Sequence, residues 1–360
     1  MSSTWGEKVK ISLFGESHGE AVGVVIDGLP AGKKIDMEAV LLQMSRRAPG
    51  KDKTATARSE TDEPHIISGL LDGHTTGAPL CALIYNKNHR SKDYSDLKVH
   101  PRPGHADFTA DIRYNGANDI RGGGHFSGRL TAPLVFAGAL CRQILEEKGI
   151  VIGAHAYSVG SVRDVPIDPV NISGEELNIL NKEYFPVIST KSKTQMYEEV
   201  EEYRAEGDSI GGSIECAVTG VPAGLGDPMF GGIENIFASI LFGIPAVKGV
   251  EFGAGFDVAK MPGSVNNDDF YYDEDGNIKT VTNNCGGILG GITTGMPLVF
   301  RVAVKPTPSI SKVQQTVDLK EKKNAEITVS GRHDPCIVPR AIPVVEAAAA
   351  VALMNIIDLR

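Results

Sequence analysis

Apolar positions along the chain follow two rhythms. Runs of strand length, alternating or continuously apolar, predict strands over 8–14, 22–26, 80–85, 213–218 and 298–304. A period near 3.6 predicts helices over 37–44, 129–147, 233–242 and 343–359. In the second of these, Leu134, Ala137, Leu140, Cys141 and Ile144 recur at helical spacing, and Gly149 stops the run. Strands and helices are mixed without regular alternation, which favours an α+β arrangement over a doubly wound sheet. The acidic stretch 195–206 and the segment 268–277 read as solvated surface, and no low-complexity linker divides the chain.

Two turn sequences occur twice in the same order. Gly28-Leu-Pro-Ala-Gly32 returns as Gly220-Val-Pro-Ala-Gly224, and Thr75-Thr-Gly-Ala-Pro-Leu80 returns as Thr293-Thr-Gly-Met-Pro-Leu298. Each copy of the second leads into a strand ending at a lysine, Lys87 or Lys305. Chance likeness between turn-rich segments is the alternative. The echo instead predicts one domain over 1–360, built of two degenerate halves near 8–150 and 205–360.

Composition narrows the class. Glycine supplies 41 of 360 residues, against roughly 7% in average proteins. It has no collagen period, so many tight turns and close backbone approaches are expected. A net charge of −9 argues against a general nucleic-acid binder. The five cysteines are scattered without a CxxC pair, so neither a disulfide scaffold nor a thiolate metal site is expected. The N-terminus lacks a signal-like apolar run, and the hydrophobic stretch 347–354 is too short to span a bilayer. A cytoplasmic protein with no membrane partner is expected.

Five segments carry candidate chemistry. Arg46, Arg47, Lys51, Lys53 and Arg58 surround the turn Pro49-Gly50, as an anion clamp or as a solvated basic loop. Phe14-Gly-Glu-Ser-His-Gly19 brackets His18 with glycines, so it is a general-acid candidate or a structural turn. Ser17 and His18 are adjacent and are not expected to face each other, which argues against a serine-hydrolase elbow. Arg102-Pro-Gly-His-Ala-Asp107 is followed by Arg121, three glycines and Arg129 at the start of a long helix, a natural anion site without a Walker A ending. Glycines at 286–291 and Lys305-Pro-Thr-Pro-Ser309 suit a planar ligand with a polar tail, or a tight β-turn. Arg332-His-Asp334 sets a cation, a base and a carboxylate in one turn, for catalysis or as a salt-bridged cap.

Together these segments resemble the chorismate synthase family. The matching pieces are FGESHG (14–19), RRAPGKDK (46–53), RPGHAD (102–107), DIRGGGHFSGR (119–129), GVPAGLGDPMF (220–230), IPAVKGVEFGAGF (244–256), NNCGGILGGI (283–292), KPTPSI (305–310) and GRHDPC (331–336). The resemblance implies a layered β-α-β sandwich with internal pseudo-duplication. It implies a lyase that converts 5-enolpyruvylshikimate 3-phosphate to chorismate and phosphate by anti-1,4-elimination, the last shikimate-pathway step, with reduced FMN. Matching positions place Arg47, Lys53, Arg121 and Arg129 at the substrate's anionic groups. They make His18 the proton donor to departing phosphate, set His105 beside the flavin and make Asp334 the base at flavin N5. Flavin contacts fall on His125, Phe126, Ser127, Pro245, Ala246, Gly290, Lys305, Pro306, Thr307, Pro308, Ser309 and Arg332. A homotetramer is implied too, and NADPH is a candidate reductant. No Rossmann fingerprint is visible, which favours a form that does not reduce its own flavin.

The chain departs from the family in places. Many relatives read GRSSARET where this chain has GHFSGRLT (124–131), so His125 replaces an arginine, Phe126 a serine and Leu130 a glutamate. Lys53 also stands where arginine is usual, keeping charge but losing the bidentate fork. Two rival readings are an FMN-dependent oxidoreductase with net hydride transfer and an RNA-binding module built on 46–58. The second lacks aromatics for base stacking in that cluster.

Overall fold

The alternating runs pair into two five-stranded antiparallel sheets with helices between them. A computed structural model of the chain describes residues 3–50, 52, 54–55, 61–87, 97–329 and 333–358. The first sheet is made of β1 (Thr4–Trp5), β2 (Lys10–Gly15), β3 (Ala21–Asp27), β4 (His65–Ser68) and, after the small hairpin β5 (Leu70–Leu71) and β6 (His74–Thr75), β7 (Leu80–Tyr85). Its order is β1-β2-β3-β7-β4. Val22, Val24 and Ile26 of β3 and Leu80, Ala82 and Ile84 of β7 are all buried, so every second residue points inward.

The second sheet takes β8 (Val151–Val159), β9 (Val162–Arg163), β10 (Gly212–Thr219), β11 (Val247–Phe252) and, beyond the hairpins β12 (Phe270–Tyr272)/β13 (Ile278–Thr280) and β14 (Ile288–Leu289)/β15 (Ile292–Thr293), β16 (Leu298–Val304). Its order is β11-β16-β10-β8-β9. A last hairpin joins β17 (Gln314–Asp318) and β18 (Lys323–Ile327).

The helices are α1 (Met37–Arg47), α2 (Asp107–Tyr114), α3 (Thr131–Glu146), α4 (Gly174–Leu180), α5 (Thr190–Ala205), α6 (Ile233–Leu241), α7 (Gly263–Asn266) and α8 (Val338–Ile356). Asp36 caps α1 by accepting from Glu38 N at 2.9 Å and Ala39 N at 3.3 Å. Between the sheets, α3 packs on β3 and β7, α8 packs on β8 and β10, and the two helices pack on each other. A Cβ on Gly138 of α3 would lie 2.3 Å from Ala347 Cα, so glycine lets the helix backbones meet. Buried Glu346 of α8 accepts from Arg46 at 2.5 and 3.1 Å and from Ala154 N at 3.1 Å, tying α8 to α1 and β8. By length and composition α8 could cross a membrane, yet 78% of its apolar window is buried in this core. The layers form the expected α+β sandwich.

The repeated turn sequences also share bonds. Thr75 Oγ1 donates to Pro30 O at 2.6 Å and accepts from Lys33 N at 2.9 Å; Thr293 Oγ1 donates to Pro222 O at 2.7 Å and accepts from Leu225 N at 2.9 Å. Thr76 N donates to Gly69 O and Thr294 N to Gly287 O in matching positions. The two copies of the repeated turn sequences are therefore closed by the same hydrogen bonds. The acidic stretch expected as plain surface is helical: α5 buries Met196 and Val200 while its charges face out.

Candidate active site

Where β2 ends, Gly19 N donates to Glu16 O at 3.1 Å and closes the turn that carries His18. Asn86, just after β7, binds that turn through Nδ2 to Glu16 O at 3.0 Å and Gly19 O at 2.9 Å. His18 is only 4% exposed, and its Nδ1 lies 3.1 Å from Ser17 Oγ. The expectation that these neighbours do not face each other is therefore corrected, because the tight turn folds both side chains to one side. The pair still sits between antiparallel strands and not at a strand-to-helix elbow.

The glycine triplet is the meeting point of distant segments. Gly122, Gly123 and Gly124 have φ of 59°, 88° and 53°, a region other residues enter rarely. A Cβ on Gly122 would lie 2.2 Å from the His18 ring, and one on Gly123 would lie 2.8 Å from the His105 ring. The glycines thus serve as a floor against which two imidazoles lie. Next to them, His125 donates from Nδ1 to Gly15 O at 2.8 Å, and its Nε2 is 2.8 Å from Ser3 Oγ. Both ring nitrogens are thus engaged within the chain. Phe126 lies 6.2 Å from Tyr114, centroid to centroid, and Ser127 Oγ accepts from Arg129 N at 3.2 Å.

His105 is oriented from behind. Its Nδ1 lies 2.6 Å from Asp107 Oδ1, and Arg102 grips the same carboxylate from Nε at 2.7 Å and Nη2 at 2.8 Å. Burial alone would raise the Asp107 pKa, but hydrogen bonds from Arg102 and His105 hold it well below the usual carboxylate range. Arg102 Nη1 donates to Ser309 Oγ at 3.0 Å, and Lys305 Nζ donates to Gly104 O at 2.9 Å. The 102–107 and 305–309 segments are thereby joined. Burial, and then Lys248, lower the Lys305 pKa.

Several features here suit a planar anionic cofactor. Among the described residues Thr307 Oγ1 is buried without a hydrogen-bond partner, a state that a bound polar group would relieve. Ala246, which follows Pro245, holds φ at 75° and accepts from Lys305 N at 2.9 Å. Gly290 has φ of 62° and nothing within 4 Å of where a Cβ would be. Pro306 and Pro308 stiffen the loop between these polar groups.

The cations gather around Asp62 and around Asn86, the residue that also binds the His18 turn. Arg47 and Arg129 both donate to buried Asp62, and Arg129 Nε donates to Asn86 Oδ1 at 2.9 Å. Burial brings the Arg47 pKa down to about 10; Asp62 opposes that fall, while Arg340 and Arg129 add to it. Arg340 pairs with Asp334 and donates from Nε to Arg47 O at 3.0 Å, which links the candidate base to this group. Arg121 is exposed, paired with Asp119 at 2.7 Å, and precedes Gly122, which meets the His18 ring. Lys53 and Arg332 lie outside the described residues. Sequence reasoning missed Asp62, Asn86 and Arg340 as parts of the site. It quoted Arg102 and Asp107 without giving them a task, although their place beside His105 was a usable signal.

Fold and site define an α+β enzyme acting on an anionic small molecule. A family model described as chorismate synthase matches residues 9–357. The chain belongs to the chorismate synthase family and is a carbon–oxygen lyase acting on a phosphate. Chorismate synthase of Dehalococcoides mccartyi is 46% identical over 360 residues, covering 99% of this chain and 96% of the relative. That of Pyrococcus abyssi is 50% identical over 350 residues, covering 97% and 96%. A crystal structure of chorismate synthase matches with TM-score 0.75 and 28% identity, covering 98% of this chain and 92% of that one.

Proposed function

We propose that the chain eliminates phosphate from 5-enolpyruvylshikimate 3-phosphate to give chorismate, the anti-1,4-elimination that ends the shikimate pathway, with reduced FMN as cofactor. The observation that carries this is the approach of His18 and His105 to adjacent glycines beside the buried arginines. The substrate has one phosphate and two carboxylates, about four negative charges, which the guanidiniums of a net −9 chain must offset locally.

The flavin's planar ring and phosphate tail fit the residues described. Lys305, Thr307, Ser309, Ala246 and Gly290 would hold it, with Pro245, Pro306, Pro308, Ser127, Arg332 and the backbone of His125 and Phe126 around it. When bound, reduced FMN supplies electron density reversibly, so that no reductant is consumed overall. Arg47, Arg129, Lys53 and Arg121 bind and orient the substrate's anions. His18 gives a proton to the departing phosphate oxygen. His105, oriented by Asp107, would lie beside the bound flavin. Asp334, paired with Arg340, accepts the proton that the elimination releases.

Met229, Phe230 and Phe256 are 76%, 85% and 83% exposed, which supports assembly into a homotetramer, and a cytoplasmic location belongs to the same reading. The testing experiment is an anaerobic assay with 5-enolpyruvylshikimate 3-phosphate and photoreduced FMN. Phosphate release without net flavin oxidation is expected, whereas stoichiometric flavin or NADPH oxidation would select hydride transfer instead.

A further inference from the structure

Asp62 belongs to none of the segments that carry the family resemblance, yet it occupies the centre of the cationic group. It is 2% exposed, and its backbone φ of 48° lies in the left-handed region that an aspartate enters only at some cost. Oδ2 accepts from Arg47 Nη1 and Oδ1 from Arg129 Nη1. The arginines' other described partners are neutral: Thr131 Oγ1 at 3.1 Å and Gly128 O at 3.4 Å for Arg47, Asn86 Oδ1 at 2.9 Å and Tyr85 O at 3.4 Å for Arg129. Among the described residues, Asp62 is the carboxylate that bridges them. Burial would raise its pKa, but Arg47 and Arg129 hold it below the usual range, so it stays ionised. Asp62 sets one carboxylate between two buried guanidiniums, and so offsets the mutual repulsion that would otherwise drive them apart.

We propose that Asp62 is a positioning residue for substrate binding, a buried yoke that fixes the spacing of Arg47 and Arg129. The proposal rests on the reading that these arginines receive the substrate's anions. A carboxylate with this task stays in place when substrate arrives, because an anion-binding pair is preorganised only while something holds it together. A carboxylate that merely filled the anion's place would have to leave, and its removal would tighten binding.

Asp62→Asn removes the charge at nearly constant shape. Asp62→Gly removes the carboxylate and also relieves the left-handed backbone, so it keeps the fold where the amide does not. Both are titrated with 5-enolpyruvylshikimate 3-phosphate by calorimetry and assayed for KM and kcat, with melting temperatures in parallel. The expected result is a substrate Kd and KM raised at least tenfold, with a smaller change in kcat. That split is the mark of lost binding that is uniform through the reaction. A change below threefold in a folded variant, or tighter binding, overturns the proposal. If the wild-type protein itself releases no phosphate, the functional reading fails separately. Titration with inorganic phosphate, expected to weaken by a similar factor in both variants, then still decides the role of Asp62.

Discussion

Asp107 Oδ1 lies 2.6 Å from His105 Nδ1, which fixes the imidazole proton on the side away from Gly123. An ionised carboxylate can only accept, so Nδ1 carries the proton, and the Arg102 Nη2 placed 3.1 Å from the same nitrogen is a neighbour and not a donor to it. Asp107→Asn can present an amide N–H instead and invert that tautomer. We expect turnover to fall by about tenfold or more, towards the ~10²-fold loss expected for His105→Ala. Nitrogen NMR of the imidazole reports the tautomer directly. An unchanged tautomer with unchanged single-turnover rate would remove Asp107 from the mechanism.

Gly122→Ala tests the other histidine without touching it. The new Cβ would sit 2.2 Å from the His18 ring, at a φ of 59°. The backbone cost is about 1 kcal/mol or somewhat more, so the fold should survive with a lower melting temperature. The ring must move, and turnover should fall about as far as in His18→Ala, ~10²-fold. Normal turnover in a folded Gly122→Ala protein would mean that the position of His18 does not matter to the chemistry.

What the sequence made legible follows from range. The inner strands and α1, α3 and α8 carry complete apolar periods, because each buries one full face or stripe. β8 escaped notice because His155, a polar residue, occupies a fully buried position that only a partner on β10 explains. α5 escaped because its outward face is acidic and few of its apolar residues are buried. Within the site, glycine-bracketed histidines are local signals. Asp62 and Asn86 are not, since their partners come together only when β4, β7 and the start of α3 are assembled. Arg340 was hidden in the first turn of a core helix, where a cation reads as solvated.

The second sheet carries a polar row with its own pH signature. His155 is fully buried, with Nδ1 3.1 Å from Asp164 and Nε2 3.0 Å from Glu215. Glu215 continues to Arg301 at 2.8 Å, and Arg301 lies 4.4 Å over the Tyr157 ring. Burial would lower the His155 pKa, but bonds to Asp164 and Glu215 raise it above 6.5. Burial would raise the two carboxylates, but bonds from His155 and the backbone bring them below 3.8 and 4.5. The histidine's contribution is therefore full below pH 6.5 and is lost as pH rises through its raised pKa. The carboxylates' contribution is full above pH 4.5 and is lost as pH falls through their lowered values. Thermal melts across pH should show this row stabilising most between about 4.5 and 6.5. His155→Gln should lose that alkaline slope relative to wild type, and an identical pH dependence in both proteins would show that His155 is not charged.

Asp334 is paired with Arg340, which itself holds the Arg47 carbonyl at 3.0 Å, so one arginine connects the candidate base to the anion site. A carboxylate can take up a proton only in its ionised form. Asp334→Asn keeps the size and much of the hydrogen bonding but removes the basic oxygen. FMN and substrate should bind nearly as before while most of kcat is lost, the pattern of an interaction made mainly in the transition state. If Asp334 is instead only half of an ion pair, the same change should cost about 1–3 kcal/mol of stability with turnover largely intact. Melting temperature, dissociation constants and single-turnover rate measured on one preparation separate the two. A lowered melting point with near-normal turnover would reject Asp334 as the base and leave it a strut for Arg340.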